Sequence, residues 1–369
     1  MALGDVLSGL FGGGGKKSPS VLGIDIGGSS IKVVQLRKEK GVAVLETYGE
    51  LALGPYAGST VGQATNLPAE KIGETIRDLL RESKVTTTSC GVSIPFSKSL
   101  LTTVTLPRRP QKELETMIPL EARKHVPVPL SEVQLDWFVL PNPPTISNGK
   151  EEESRMVKVL LVAVHNDELK FLEKAIATAG LTASFYEIEI FSSIRASVDE
   201  MIKPVFVIDI GAAATKTYVV EHGVVEISHN IPRGGQEMTQ TIAKGDGHSL
   251  EQAEHLKKTH GLSDASADKY SQKSLELVVS TVFSEAKRVM IEYETTHQKN
   301  ISKIILTGGG SATKNLLPYA QNFFNIDVMI ADPFGKVRAP AFMRTVLQEI
   351  GPEFAVACGL ALRKLEEQG

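Results

Sequence analysis

The sequence predicts a duplicated α/β protein: two mixed sheets of five strands, each with flanking helices, around a shared cleft. Three observations predict it. The stretch GIDIGGSSIKVV from Gly23 recurs in altered form as VIDIGAAATKTYVV from Val207. Each copy has an apolar strand ending in Asp, a turn of small residues, and a lysine on the next strand, and each opens a half-chain with three consecutive strands. A further apolar strand, KIILT, ends in Thr307-Gly308-Gly309-Gly310-Ser311. Repetition of this kind signals a duplicated structural unit.

The remaining elements follow the same grammar. After the first three strands, Ile72, Ile76, Leu79 and Leu80 share one face of a helix near residues 70–83. Residues 87–181 read as an insertion: strands CGVSIPF and LLTTVTLP, a helix ELETMIPLEARKHV stopped by VPVP, a strand VQLDWFVL, an exposed turn-rich loop SNGKEEESR, a buried strand VKVLLVAVH, and a helix N-capped by Asn166 with Gly180 beyond its end. In the second half two helical stretches, SLEQAEHLKKTHG and SLELVVSTVFSEAKRVMIEYETTH, precede KIILTGGG; a helix, the short strand VMI and the terminal helix PEFAVACGLALRKLEEQ follow. Residues 1–20 stand apart. Leu3, Val6, Leu7, Leu10 and Phe11 recur at helical spacing before a run of glycines. GGGGKKS is not a phosphate loop of the GxxxxGK[ST] type, because positions 10 and 17 hold Leu10 and Lys17.

Composition excludes several classes. The chain has 369 residues, 42% of them hydrophobic, which suits two domains with cores of their own. A net charge of -3 lacks the basic surplus that neutralises phosphates, so no nucleic-acid partner is expected. Cys90 and Cys358 lie far apart in apolar segments, which gives neither a disulfide framework nor a clustered metal set. No apolar run reaches the ~18 residues of a membrane span, and no signal pattern opens the chain. Membrane association is therefore expected to be peripheral.

The duplicated turn carries the chemistry. Glycines and small side chains let backbone N–H groups approach an anion. Gly27 and Gly28 supply this in the first copy, with hydroxyls from Ser29 and Ser30; Gly211, Ala212 and Ala213 supply it in the second, with Thr215. Asp25 and Asp209 end the strands beside these turns. A carboxylate there repels phosphate, so a hydrated Mg²⁺ between them is the expected arrangement. Lys32 and Lys216 add positive charge. Gly308, Gly309, Gly310 and Ser311 would let a flat base or sugar lie on the backbone.

Two phosphate turns and then a glycine-rich turn, in that order, resemble the actin, sugar-kinase and heat-shock-chaperone superfamily over residues 21–365. RGGQEMTQTI followed by LEQAEHLKKTHGL resembles its FtsA and MreB branch, which implies Gly234 and Gly235 near the phosphates and Glu254 and Lys257 facing ribose and base. The segments ELETMIPLEARKHVPVPLSEVQLDW and YEIEIFSS resemble the PilM family of type IV pilus proteins, and place Glu189 where a nucleophilic water could be held. FAVACGLAL resembles the helix whose small residues pack the domains together.

The resemblance implies an actin-like duplicated fold with an FtsA-like inserted subdomain. Residues 1–20 are a tail, 21–202 a first domain with its insertion, and 203–369 a second domain with a helical subdomain near 245–300. It implies ATP or ADP with Mg²⁺, slow hydrolysis at most, and a cytoplasmic position attached peripherally to the inner membrane. The implied partners are the N-terminal peptide of PilN within the PilN/PilO/PilP complex, the motor ATPases PilB and PilT, PilC, and a second copy of the chain. GAAATK offers fewer donors than the turns of the hydrolysing chaperones, and no sugar-binding constellation separates the turns. A filament former of the FtsA/MreB type and a superfamily phosphotransferase are the alternative readings.

Overall fold

The computed structural model describes residues 19–140, 145–147, 150–152, 155–199, 202–262 and 269–367. The helical pattern read in residues 3–11 lies outside them.

Alternating apolar residues build the first sheet. Strands β1 (Val21–Ile26), β2 (Ser30–Glu39) and β3 (Val42–Ala52) form an antiparallel meander. Helix α1 (Ala69–Glu82) leads to β4 (Ser89–Ile94), parallel to β1. A small sheet follows. β5 (Ser99–Pro107), β6 (Val133–Val139) and β9 (Met156–His165) form it in the order β5-β9-β6, with α2 (Gln111–Ala122) between β5 and β6 and a separate β7–β8 hairpin (Thr145–Ser147 and Lys150–Glu152) between β6 and β9. Helix α3 (Asn166–Thr178) returns to β10 (Thr182–Ile188), parallel to β4, and α4 (Glu189–Ser197) ends the unit.

The second unit repeats this plan. Strands β11 (Val205–Ile210), β12 (Thr215–Glu221) and β13 (Val224–Ile231) form the meander. Helices α5 (Gly235–Asp246), α6 (Leu250–Thr259) and α7 (Lys269–His297) precede β14 (Lys303–Thr307), α8 (Leu316–Phe324) and β15 (Val328–Ile330). Two last helices, α9 (Arg344–Ile350) and α10 (Ala355–Glu367), close the chain. The sheet orders are β10-β4-β1-β2-β3 and β13-β12-β11-β14-β15, so β1, β2, β3, β4 and β10 correspond to β11, β12, β13, β14 and β15. The duplicated motif thus reports a duplicated sheet.

Several boundaries differ from expectation. β4 belongs to the first sheet and α3 packs on α1, so the separate sheet β5-β9-β6 spans residues 99–165 rather than 87–181. The α2 helix ends at Ala122, four residues before the expected His125-Val126 end, with Pro119 inside it. His165, not Asn166, caps α3; Asn166 instead donates through Nδ2 to the Ser131 carbonyl, 2.9 Å away. Part of the stretch read as a loop pairs as the β7–β8 hairpin, with Ser147 opposite Lys150. The helices in the expected 245–300 subdomain share one apolar core with the second sheet, where Phe283, Val282 and Ala286 are fully buried beside Phe206 and Ile208. Helix α10, expected within the second domain, packs on β1, β2 and α4. A Cβ at Gly23 would strike the Ala357 carbonyl, and one at Gly359 the Ser192 carbonyl. Glycine at these two positions is what lets α10 sit so close. Cys90 and Cys358 are buried thiols, each pushed up to about 12 by burial.

Candidate functional site between two small-residue turns

Register builds both turns alike. Ile26 pairs with Ile31 and Ile210 with Thr215, and the Gly27 and Gly211 N–H groups close the turns onto the Ser30 and Ala214 carbonyls, each at 3.0 Å. A Cβ at Gly27 would lie 3.0 Å from the Ser30 carbonyl oxygen, and one at Gly211 2.9 Å from that of Ala214. The tips are exposed and face each other: a Cβ at Gly28 would lie 3.8 Å from that of Ala213 and 3.7 Å from that of Ala64. Among the described residues the N–H groups of Gly28, Ser29, Ala212 and Ala213 have no protein partner. Neighbouring turn amides left without a protein partner are an anion-binding arrangement.

Behind the turns lies a charged cluster. Ser93, at the end of β4, donates to Asp25 Oδ1 at 2.9 Å and accepts from the Ile26 N–H at 3.2 Å. Burial raises the Asp25 carboxyl, against the opposing charges of Lys32 and Lys216. Lys216 Nζ lies 2.7 Å from Glu189 Oε2 and 3.3 Å from Asp209 Oδ2. Burial works against the Lys216 charge, yet Asp209 and Glu189 outweigh it and hold the ammonium above its ordinary value. Glu189 opens α4 and accepts the Phe96 N–H on Oε1 at 2.7 Å, so both its oxygens are engaged. Burial raises its carboxyl, opposed by Lys216. Lys32 Nζ reaches Ser30 Oγ at 2.6 Å and Glu50 at 3.0 Å.

The other expected residues divide into those that line the cleft and those that support it. The Thr215 hydroxyl donates to the Arg233 carbonyl at 2.8 Å, so it fastens the turn instead of facing an anion. Gly234 packs on the Gly211 and Ala212 carbonyls, and the N–H groups of Gly235 and Gln236 donate to those same carbonyls at 2.9 Å. Lys257 spends its three protons on the Gly235 carbonyl (3.1 Å), Thr239 (2.9 Å) and Glu254 (2.6 Å). Lys257 and Glu254 therefore brace this loop from behind. Gly308 has φ 80°, and Gly310 packs against Ile210. Ser311 donates to the Gly308 carbonyl at 2.6 Å, while Gly309 faces Glu353.

Three features carried no motif. Ser93 reaches Asp25 only through the β1–β4 pairing. Glu50 and Glu353 enter through the pairing of β3 and the fold-back of the C-terminal segment; burial, reinforced by Glu50, raises the Glu353 carboxyl. Residues 59–66 form a strap across the cleft, where the Thr65 N–H donates to the Gly28 carbonyl at 2.9 Å and the Ala64 N–H to Gln236 Oε1 at 2.8 Å. Beside the strap a cavity of about 660 Å³ is walled by Thr65, Ala212, Ala213, Gly234, Gln236 and Lys244, among others. Among the described residues no group of three or more His, Cys, Asp or Glu could hold a metal ion, and no helix is long and apolar enough to cross a membrane.

Comparison with known proteins agrees with this architecture. A solved PilM–PilN type IV pilus biogenesis complex superposes with a TM-score of 0.77 at 24% identity, covering 94% of this chain and 98% of that one. MreB5 of Spiroplasma citri bound to AMPPNP superposes with a TM-score of 0.54 at 13% identity, covering 95% and 98%. The cell division protein FtsA of Neisseria meningitidis is 23% identical over 337 residues, 80% of this chain and 81% of that protein. The profile of the family described as type IV pilus assembly protein PilM matches residues 23–365. The fold is thus actin-like, and the chain belongs to the PilM family of type IV pilus assembly proteins.

Proposed function

We propose that this protein is an ATP-binding member of the type IV pilus inner-membrane platform, working on the cytoplasmic side and attached through its partners. The observation that carries the nucleotide half is the meeting of Gly28 and Ala213, one from the first turn of each unit, in turns whose tip amides have no protein partner among the described residues. ATP or ADP phosphates suit those amides, and the Gly308–Gly310 turn suits the adenosine. Asp25 and Asp209 fit a hydrated Mg²⁺ held largely by water and phosphate rather than a protein cage. With both oxygens engaged, Glu189 is a poor base, which supports slow hydrolysis at most.

The inserted sheet is the proposed docking element for the N-terminal peptide of PilN, the partner named in the superposed complex. β6 is an edge strand, and Phe138, opposite Leu160 in the register, is 53% exposed. Leu160 lies in the apolar core shared by residues of both units, so Phe138 stands at the exposed edge of the small sheet on the side that faces this core. An added strand held by main-chain bonds and side-chain pockets fits such an edge. Through this contact the protein would link the PilN/PilO/PilP complex to PilB, PilT and PilC.

A binding titration of the full chain with a synthetic PilN N-terminal peptide, with and without Mg-ATP, tests the reading. Saturable binding is expected. No binding in either condition would contradict it.

A further inference from the structure

Beside the packing of β5 on β13, polar contacts among the described residues link the inserted sheet to the second unit at two places, and one of these links runs through the cleft. At the first, Lys158 of β9 lies 3.0 Å from Glu226 of β13. At the second, Phe96 and Lys98 bound a single helical turn that ends β4's connection and leads directly into Ser99, the first residue of β5. The Ser99 hydroxyl donates to the Phe96 carbonyl at 2.9 Å, and the Phe96 ring is buried in the apolar core shared by residues of both units. This turn is the entry hinge of the small sheet. Its Phe96 N–H is held at 2.7 Å by Glu189, whose other oxygen holds Lys216, which in turn holds Asp209 beside the second turn.

That chain of contacts crosses from the first unit to the second: hinge, Glu189, Lys216, Asp209. Asp209, Lys216 and Asn230 are directly opposite one another across β11, β12 and β13, so their side chains share one face. Asn230 Oδ1 on that face is buried and has no hydrogen-bond partner. An unsatisfied buried acceptor next to a lysine marks a place where a second arrangement can gain a bond. Lys216 can move from Glu189 toward an anion at the turn, and the polar wall can re-pair behind it.

We infer that Glu189 is a positioning residue that couples occupancy of the cleft to the hinge of the inserted sheet, through its shared hold on Lys216 and the Phe96 N–H. When Lys216 turns toward an anion at the Gly211–Ala214 turn, Glu189 is left facing Asp25 and Asp209 without its counter-charge. Its carboxylate then withdraws, the Phe96 bond opens, and the small sheet gains freedom about its hinge. The bound anion in this account rests on the nucleotide reading above. The clamp itself does not.

Amide hydrogen exchange on the full chain tests both parts. Without nucleotide, Lys216→Met and Glu189→Ala should each speed exchange of the Phe96 amide about tenfold, as local opening requires. The double variant should add no more than about twofold, and amides of the β5–β9 ladder around Val104 and Val159 should keep wild-type rates. A Phe96 amide within about twofold of wild type in both single variants overturns the inference, and so does uniform loss of protection across β5–β9. Saturating Mg-ATP should then mimic Lys216→Met at residues 96–101 of the wild type. Proven Mg-ATP binding with an unmoved hinge contradicts the relay. Absence of Mg-ATP binding contradicts the nucleotide reading and leaves the single-variant rates to decide the clamp.

Discussion

Asp209 pairs with Thr307 on the adjacent parallel strand, Gly308 follows just beyond that strand's end, and a Cβ added to Gly308 would fall onto the Asp209 carboxylate. The third turn is thereby pressed against the second, and Gly308 adopts φ 80° to do it. Gly41, with φ 82°, has nothing within 4 Å of its would-be Cβ. Gly41→Ala should cost about 1 kcal/mol for the left-handed backbone alone. Gly308→Ala should cost clearly more, because a side chain must also displace Asp209. Thermal unfolding of the two variants compares them directly; equal losses would mean that the turn yields freely.

Glu187 ties β10, α4 and α10 together. It pairs with Arg195 at 2.8 Å and Arg363 at 2.9 Å, and it accepts a short bond from Ser192. Burial pushes its carboxyl up, but Arg195, Ser192 and Arg363 together bring it below the ordinary value. A carboxyl depressed in the folded state contributes stability above the unfolded pKa and loses it as pH falls through the folded value. Glu187→Gln should cost ~3 kcal/mol at neutral pH, the low end for a broken buried pair because both arginines are partly exposed. It should also flatten the loss of stability below about pH 4. Denaturant unfolding from pH 3 to 7 measures both; an unchanged acid slope would contradict the assignment.

The sequence made the duplicated turns legible because the backbone there imposes a strict local requirement. Gly27 and Gly211 leave almost no room for a Cβ, and the Asp and Lys on either side are fixed by hairpin register. Residues placed by nonlocal pairing were not legible. Ser93 meets Asp25 from 68 residues away, and Glu353 arrives when the C-terminal segment folds back. The strap at residues 59–66 has no periodicity to read. Thr215 is expected at a ligand from its hydroxyl, Ser311 from its place in the glycine-rich turn and Lys257 from the family resemblance; the Thr215 and Ser311 hydroxyls donate to nearby carbonyls, and Lys257 donates to the Gly235 carbonyl, Thr239 and Glu254. The return of α10 to the first sheet was hidden because its small residues state that packing is close, not against what.

Lys257 and Glu254 form a second buried support, 2.6 Å apart beneath the Gly234–Gly235 loop. Lys257→Met should leave the Glu254 carboxylate without its main partner and cost ~3–5 kcal/mol. The same change frees the Gly235 carbonyl and loosens the loop beside the second turn. Thermal unfolding checks the magnitude; a loss under about 1 kcal/mol would place the pair in water rather than in the fold.

On the proposed docking edge, Phe138→Ser removes an exposed aromatic that the fold itself does not need. PilN-peptide affinity should fall about tenfold, or ~1.4 kcal/mol, with the melting temperature unchanged. Equal affinity would move the peptide site away from this edge.

The most direct measurement is a calorimetric titration of Mg-ATP into the wild type, Asp25→Ala and Asp209→Ala. Wild-type binding in the micromolar range, about -8 kcal/mol, is expected, with loss in both variants because each aspartate serves one of the two facing turns. Wild-type affinity retained in both would contradict a shared phosphate site between Gly28 and Ala213.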